Sequence, residues 1–185
     1  MIGNIVAGTF SAGVVPSTTF YESIATSSVG VGGTSYIEFT SIGSGWKHLQ
    51  LRYIAMFTDG TAEFEIAFNS DTTAGNYARH YLYGDGSSAG AGSATSSNTR
   101  SILYTRNSSS TTPAASVVDI LDYGSTSKNK TVRALIGGDY NGSGAVALNS
   151  LLWMNSSNGI TSIKIQPTAG TIRQYSHFAL YGIKD

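Results

Sequence analysis

An all-β fold, an antiparallel two-sheet β-sandwich of jelly-roll type, is what this 185-residue sequence predicts, and three observations carry that expectation. Apolar residues alternate with polar ones at period two in several segments, as strands with one buried face require. They do not recur at i, i+3, i+4 and i+7 over any long window, and glycine interrupts most segments, so helices are not expected. Turn chemistry punctuates the strand candidates, and without crossover helices the strands are expected to pair antiparallel.

The elements follow in chain order. Residues Met1 to Thr19 mix Gly, Ser, Thr and Val with Pro16 near the end, which divides the chain into an extended arm, 1–19, and a β-sandwich domain, 20–185. Ile2, Ile5, Val6, Phe10, Val14 and Val15 are apolar enough to be buried, yet Gly3, Gly8, Gly13 and Pro16 oppose a stable independent element. The arm is therefore expected to attach to a neighbour, adding a strand to an edge or lying in a groove, and to order only there. Phe20 to Val29 and Ser35 to Ser41 are the first strand candidates. Lys47 to Phe57 puts Leu49, Leu51, Tyr53, Ala55 and Phe57 on one face, while Ile54 and Met56 make the other face apolar as well, which predicts a central strand. After Asp59-Gly60, Ala62 to Asn69 turns Phe64, Ile66 and Phe68 inward and Glu63 and Glu65 outward, and reads as its hairpin partner.

Further candidates are Tyr77 to Tyr83, Ser101 to Arg106, Ser116 to Tyr123, Thr131 to Ile136, Ala145 to Met154, Ile160 to Gln166 and Tyr175 to Ile183. Gly43-Ser44-Gly45, Asp85-Gly86, Asn141-Gly142 and Asn158-Gly159 supply residues that accept positive φ cheaply. Two stretches, Gly84 to Asn98 and Asn107 to Ala115, read as long surface loops. The expected core is Leu49, Leu51, Phe57, Phe64, Ile66, Phe68, Val118, Ile120, Leu148, Leu152, Ile163, Ile165, Phe178 and Leu180.

Composition narrows the function. Charged residues are only 12%, and Lys+Arg 11 against Asp+Glu 11 gives a formal net charge of +0, so no basic field exists to hold a phosphate backbone. Zero Cys excludes disulfides, Cys-ligated metals and thiol catalysis. No Lys or Arg precedes Lys47, which argues against a secretory leader, Ile2 argues against myristoylation, and no apolar run is long enough for a membrane-spanning helix.

Each motif with catalytic or metal-binding form has a plainer reading. Gly86-Ser87-Ser88-Ala89-Gly90 matches the nucleophile turn G-x-S-x-G, but no apolar helical face follows, and a flexible loop is expected. His48, His80 and His177 lie inside strand patterns and read as structural. Asp139-Tyr140-Asn141-Gly142-Ser143-Gly144 imitates the start of an EF-hand loop, but its twelfth position is Ser150, so a β-turn is preferred and no metal or cofactor is assigned. A different calcium geometry stays open at this point. Glu63 and Glu65, two apart on one strand, read as a solvated edge rather than a glycosidase pair. The Asn-x-Ser/Thr triplets at Asn107, Asn129, Asn141 and Asn155 are expected by chance in so Ser/Thr-rich a chain. Tyr77, Tyr81 and Tyr83 share a strand face with Arg79, and Trp46 stands beside the Gly43 to Gly45 turn. These four are the candidate ligand or interface aromatics, with core packing as the plainer role.

Four phrases in order, SIGSGWKHLQLRYIA, FNSDTTAGNYARHYLYGDGSS, VVDILDYGSTSKNKTVRAL and the terminal QYSHFALYGIK, carry a resemblance that spans about Tyr21 to Lys184. Together they resemble a family of small virion structural proteins of tailed bacteriophages, especially phages of aquatic bacteria, and Phe178 to Lys184 is the most specific piece. The resemblance implies a non-enzymatic β-sandwich on the virion exterior: a capsid decoration (cement) protein, or alternatively a tail or fibre module binding host-surface carbohydrate. It implies a homo-oligomer, a trimer to match three-fold positions, with the major capsid protein or a tail or fibre protein as partner, and no nucleic acid or membrane. No catalytic residue comes with it. The short arm before the sandwich, in place of a fibrous shaft, favours decoration, and turnover on host polysaccharide would revive an enzyme such as a depolymerase.

Overall fold

The computed structural model describes residues 20–59, 62–97, 99–102 and 112–184, so the expectations for the arm and for most of Asn107 to Ala115 lie outside the described residues. Eleven strands are described: β1 (Tyr21–Ser28), β2 (Ile37–Phe39), β3 (His48–Ala55), β4 (Phe64–Phe68), β5 (Tyr77–Gly84), β6 (Ala89–Ala94), β7 (Ala114–Leu121), β8 (Lys130–Asp139), β9 (Gly144–Trp153), β10 (Ile163–Pro167) and β11 (His177–Ile183). A single 3₁₀ turn at Ala74–Asn76 is the helical content among the described residues. The strands form an antiparallel two-sheet sandwich divided unevenly, an eight-stranded sheet in the order β1-β11-β3-β7-β8-β9-β5-β6 and a three-stranded sheet in the order β2-β10-β4.

Alternation decides which side chains meet between the sheets. On β3, Leu49, Leu51, Tyr53 and Ala55 are buried, and the strand lies inside the large sheet between β11 and β7, as its two apolar faces predict. The small sheet answers with Ile37, Phe39, Phe64, Ile66, Phe68, Ile163 and Ile165, all buried. Two aromatic groups knit the layers. Phe64 meets Phe57, Tyr53 and Phe178 at centroid distances of 4.4, 5.1 and 5.7 Å, and Phe68 meets Trp153 and Tyr77 at 5.5 and 6.3 Å. Such offset and edge-on pairs contribute beyond the area they bury.

Four expectations need correction. The segment after Asp59 crosses to the other sheet, so β4 pairs with β10 and is no hairpin partner of β3. All three of its large apolar side chains can then pack on the inner face of the large sheet. Gly84 to Asn98 contains the edge strand β6, paired with β5 from Arg79↔Ala94 to Gly84↔Ala89, so Gly86 to Gly90 is a hairpin turn running into a strand. Asp85 builds that turn: its Oδ1 accepts from the backbone N–H of Ser87 and Ser88, which holds its carboxyl well below the ordinary range, and Gly86 takes φ +88. β9 faces the other way from the expected register. Leu151 and Trp153 are buried on it, while Leu148 is 43% exposed and Leu152 only partly covered. Glu63 and Glu65 are not a solvated edge, since each pairs with a guanidinium and is largely covered, Glu63 with Arg79 at 3.2 Å and Glu65 with Arg100, from the segment alongside β4, at 2.6 Å.

Candidate interaction surface

On the outer face of the large sheet, the ladder registers align side chains in cross-strand rows. One row runs Tyr181, Gln50, Asp119, Arg133, Ser150, His80 from β11 to β5. It is polar and internally bonded. Gln50 Nε2 donates to Asp119 Oδ1 at 2.7 Å, Arg133 Nη2 to Asp119 Oδ2 at 2.8 Å, and Arg52 Nε to Gln50 Oε1 at 2.8 Å. Burial pushes the Asp119 carboxyl up, but the hydrogen bonds from Arg133 and Gln50 and the nearby arginine charges outweigh it, so the group sits below its ordinary value. At the β1 end Tyr21 stacks on Tyr181 at 4.7 Å, donates to Gln50 Oε1 at 2.6 Å, and lies under the Arg52 guanidinium at 5.5 Å.

The neighbouring rows are of opposite character. Val117, Leu135, Leu148, Leu82 and Ala91 stand side by side on β7, β8, β9, β5 and β6, and the row beyond continues with Ile54, Ala115, Gly137 and Val146. None of these carries a charge, and the same ladders continue the rows with Arg52 beside Val117 and His177 beside Ile54. Their exposure is high for branched aliphatics: Val146 64%, Leu135 60%, Leu82 57% and Ile54 51%. Between them lies a shallow trough of about 550 Å³, floored by Ala115, Val117 and Gly137 and rimmed at one end by Arg52, His177 and Tyr181. The trough is shallow because Gly137 and Ala115 bring the backbone to the surface between longer neighbours. Contiguous exposed apolar rows beside a polar one are a feature of interaction surfaces.

The sequence-predicted aromatics do not gather into one platform. Tyr77 is fully buried, its hydroxyl donating to Asp71 O at 2.9 Å and accepting from Phe68 N at 3.1 Å, which is a packing role. Tyr81 and Tyr83 are half-buried, with centroids 6.3 Å apart, and they lie over Gly92 and Gly90 of β6. Trp46 lies flat over Gly182 and donates its indole N–H to Glu22 Oε2 at 3.2 Å. Ile2, Ile5, Val6, Phe10, Val14 and Val15 lie outside the described residues.

The chemical motifs resolve into structural parts. His48 Nδ1 accepts from the N–H of Asp122 at 2.9 Å and His177 shares a hydrogen bond with Ser28 at 2.9 Å, while His80 is exposed in the polar row. Asp139 to Gly144 is the β8–β9 hairpin turn, closed by Tyr140 N to Ser143 O at 2.7 Å, with Asn141 and Gly142 at φ 57 and 99. Among the described residues no group of three or more His, Cys, Asp or Glu is placed to hold a metal ion. The outer-face rows escaped sequence reading because Leu148 and Leu135 look like core residues until the register is known. The available signal was the apolar outer position of Ile54 on an otherwise alternating strand. Comparison with protein-family models, with curated proteins and with solved structures gives no match.

Proposed function

We propose that this protein is a non-enzymatic structural component of a tailed-bacteriophage virion, carried on the particle exterior as a homo-oligomeric capsid decoration protein. The observation that carries the reading is the apolar half of the outer face, from Ile54 to Leu82, on a chain of net charge +0. A surface of this kind loses its cost to water only when another protein covers it. The ordered likeness of four phrases to small virion proteins supplies the setting, and three-fold positions on a capsid supply the reason for a trimer. The polar row beside the trough then stays solvated, consistent with an exterior location. A second reading, a tail or fibre module for host-surface carbohydrate, draws on the Tyr21–Tyr181 stack with Arg52 beside it, an aromatic platform suited to a sugar face. Particle density decides between them. Chain density over the capsomers is expected; density at the tail would replace decoration by the second reading, and a particle without the chain would overturn both.

A further inference from the structure

We infer that the cleft between the segments 30–34, 57–59 and 171–175 is a binding site for one carboxylate-bearing sugar unit, a uronic acid residue of a glycan. The site lies at the far end of β1 from the Tyr21–Tyr181 stack, and what it binds does not depend on where the chain sits on the particle.

Tyr175 marks the site. Among the described residues, Ser41, Asn69, Ser70, Asp122 and Asn141 take positive φ, and all of them are small and polar. Tyr175 joins them at φ 70, where a bulky residue is an outlier, and at 78% exposure its ring gains no burial to offset the backbone cost. Its neighbours hold it there. Tyr175 N donates to Val29 O at 3.0 Å, Val29 N donates to Ser176 O at 2.9 Å, and the Ser176 hydroxyl accepts from Met56 N at 3.0 Å. A strained residue fixed from both sides, with its ring left in water, points to a role outside the fold.

The cleft beside it holds about 300 Å³ and is lined also by Gly33, Thr58, Thr171, Arg173 and Gln174. Glycine at 33, with φ 74, lets one wall close on the Ile172 carbonyl, which a Cβ would meet at 2.6 Å. Arg173 is the single charged residue of the lining. Its Nε donates to Phe57 O at 2.6 Å, which fixes the guanidinium, while the two Nη groups have no acceptor among the described residues and are not buried. A guanidinium held in this way offers a planar pair of donors to a carboxylate. The Thr58 and Thr171 hydroxyls stand 3.4 Å apart, and with the Gln174 amide they supply the neutral donors and acceptors that sugar hydroxyls need. The exposed Tyr175 ring suits the apolar face of a pyranose. One cation, neutral polar groups and one free ring describe a sugar with a single carboxylate, whereas a phosphate backbone would call for more basic groups. The volume lies at the lower end of the range for small-molecule sites, which suits one unit rather than a long stretch of glycan.

The test titrates the full-length chain with short oligomers of glucuronate, galacturonate and mannuronate, and with the neutral oligomers of glucose, galactose and mannose, by saturation-transfer NMR and calorimetry. At least one uronate is expected to bind, its neutral counterpart about tenfold or more weakly, and added salt to weaken the contact. Arg173→Lys keeps the charge and loses the fork, so it should lower affinity about tenfold. Tyr175→Asn removes the ring but keeps a residue that tolerates positive φ, so binding should be lost while the melting temperature equals or exceeds that of the parent. Tyr21→Ala, at the other end of β1, should leave binding unchanged. Four results would overturn the inference: no uronate binds; neutral oligomers bind as well; binding survives Tyr175→Asn or is lost in Tyr21→Ala; or Tyr175→Asn lowers the melting temperature, which would make the ring part of the fold. Density over the capsomers or at the tail leaves this result intact, and a failed titration leaves the location on the particle intact, so the two readings fail separately.

Discussion

Phe64 shows how one side chain joins two layers: it is fully buried and touches Tyr53, Phe57 and Phe178 from across the sandwich. Phe64→Ala is expected to cost about 3–5 kcal/mol in chemical denaturation, the range for large aromatic deletions in a core. The β9 register gives a sharper contrast. Leu151→Ala should cost about 2–5 kcal/mol, whereas Leu148→Ala, three residues earlier on the outer face, should stay within about 0.5 kcal/mol; equal losses would mean that the strand faces the other way. Asp71 supplies a pH dependence. Burial pushes its carboxyl up, but hydrogen bonds from Trp153 Nε1, Asn76 and Thr73 outweigh that and hold it below the ordinary value. A lowered folded pKa means that the unfolded chain binds the proton first on acidification. The contribution is therefore full above an unfolded carboxylate value of about 3.9 and is lost as pH falls through the lower folded one. Asp71→Asn should lower the melting temperature at neutral pH and flatten its acid limb, and an acid limb unchanged from the parent would remove Asp71 from that role.

At the scale of elements, glycines set how closely side chains lie on strands. A Cβ at Gly182 on β11 would run into the indole ring of Trp46, which covers that strand. Gly182→Ala is expected to lift the indole and break its bond to Glu22. Trp46 and Trp153 are the two tryptophans, and Trp153 is buried, so the displacement should appear as a red shift and increased quenching of fluorescence from Trp46. An unchanged spectrum would show that Trp46 does not cover β11. On the edge strand β6 the same logic explains a run of small residues that composition alone marks as loop: Gly90 leaves room for the Tyr83 ring, which a Cβ there would meet at 2.6 Å. The run pairs with β5 because an aromatic from the neighbouring strand lies over each of Gly90 and Gly92, covering a backbone that has no side chain of its own.

For the whole molecule, the order β1-β11-β3 places the last strand of the chain inside the large sheet, between the first strand and the central one. Removing residues 177–185 should therefore abolish cooperative folding, since Phe178 and Leu180 leave the core and β1 loses its ladder partner. Removing residues 1–19 should leave the melting temperature of the dilute protein almost unchanged while preventing incorporation into particles. A truncated chain that fails to fold would move the arm into the core, and one that still assembles would place attachment outside the arm.

By itself, the sequence determined the all-β class, the antiparallel pairing, most strand positions and twelve of the fourteen expected core residues, because period-two alternation and turn residues act over a few neighbours and need no knowledge of the partner strand. Tertiary structure alone decided the rest. Whether β4 continues the sheet of β3 or crosses to the other layer depends on which apolar face finds cover, and Phe64, Ile66 and Phe68 find it on the opposite sheet. Whether β9 buries Leu148 or Leu151 depends on register, since both faces of that strand carry leucine and a one-residue slip exchanges them. The candidate surface belongs to this second group. Leu82, Leu135 and Leu148 are far apart in sequence, and only the ladders of β5, β9 and β8 set them side by side in water rather than in the core.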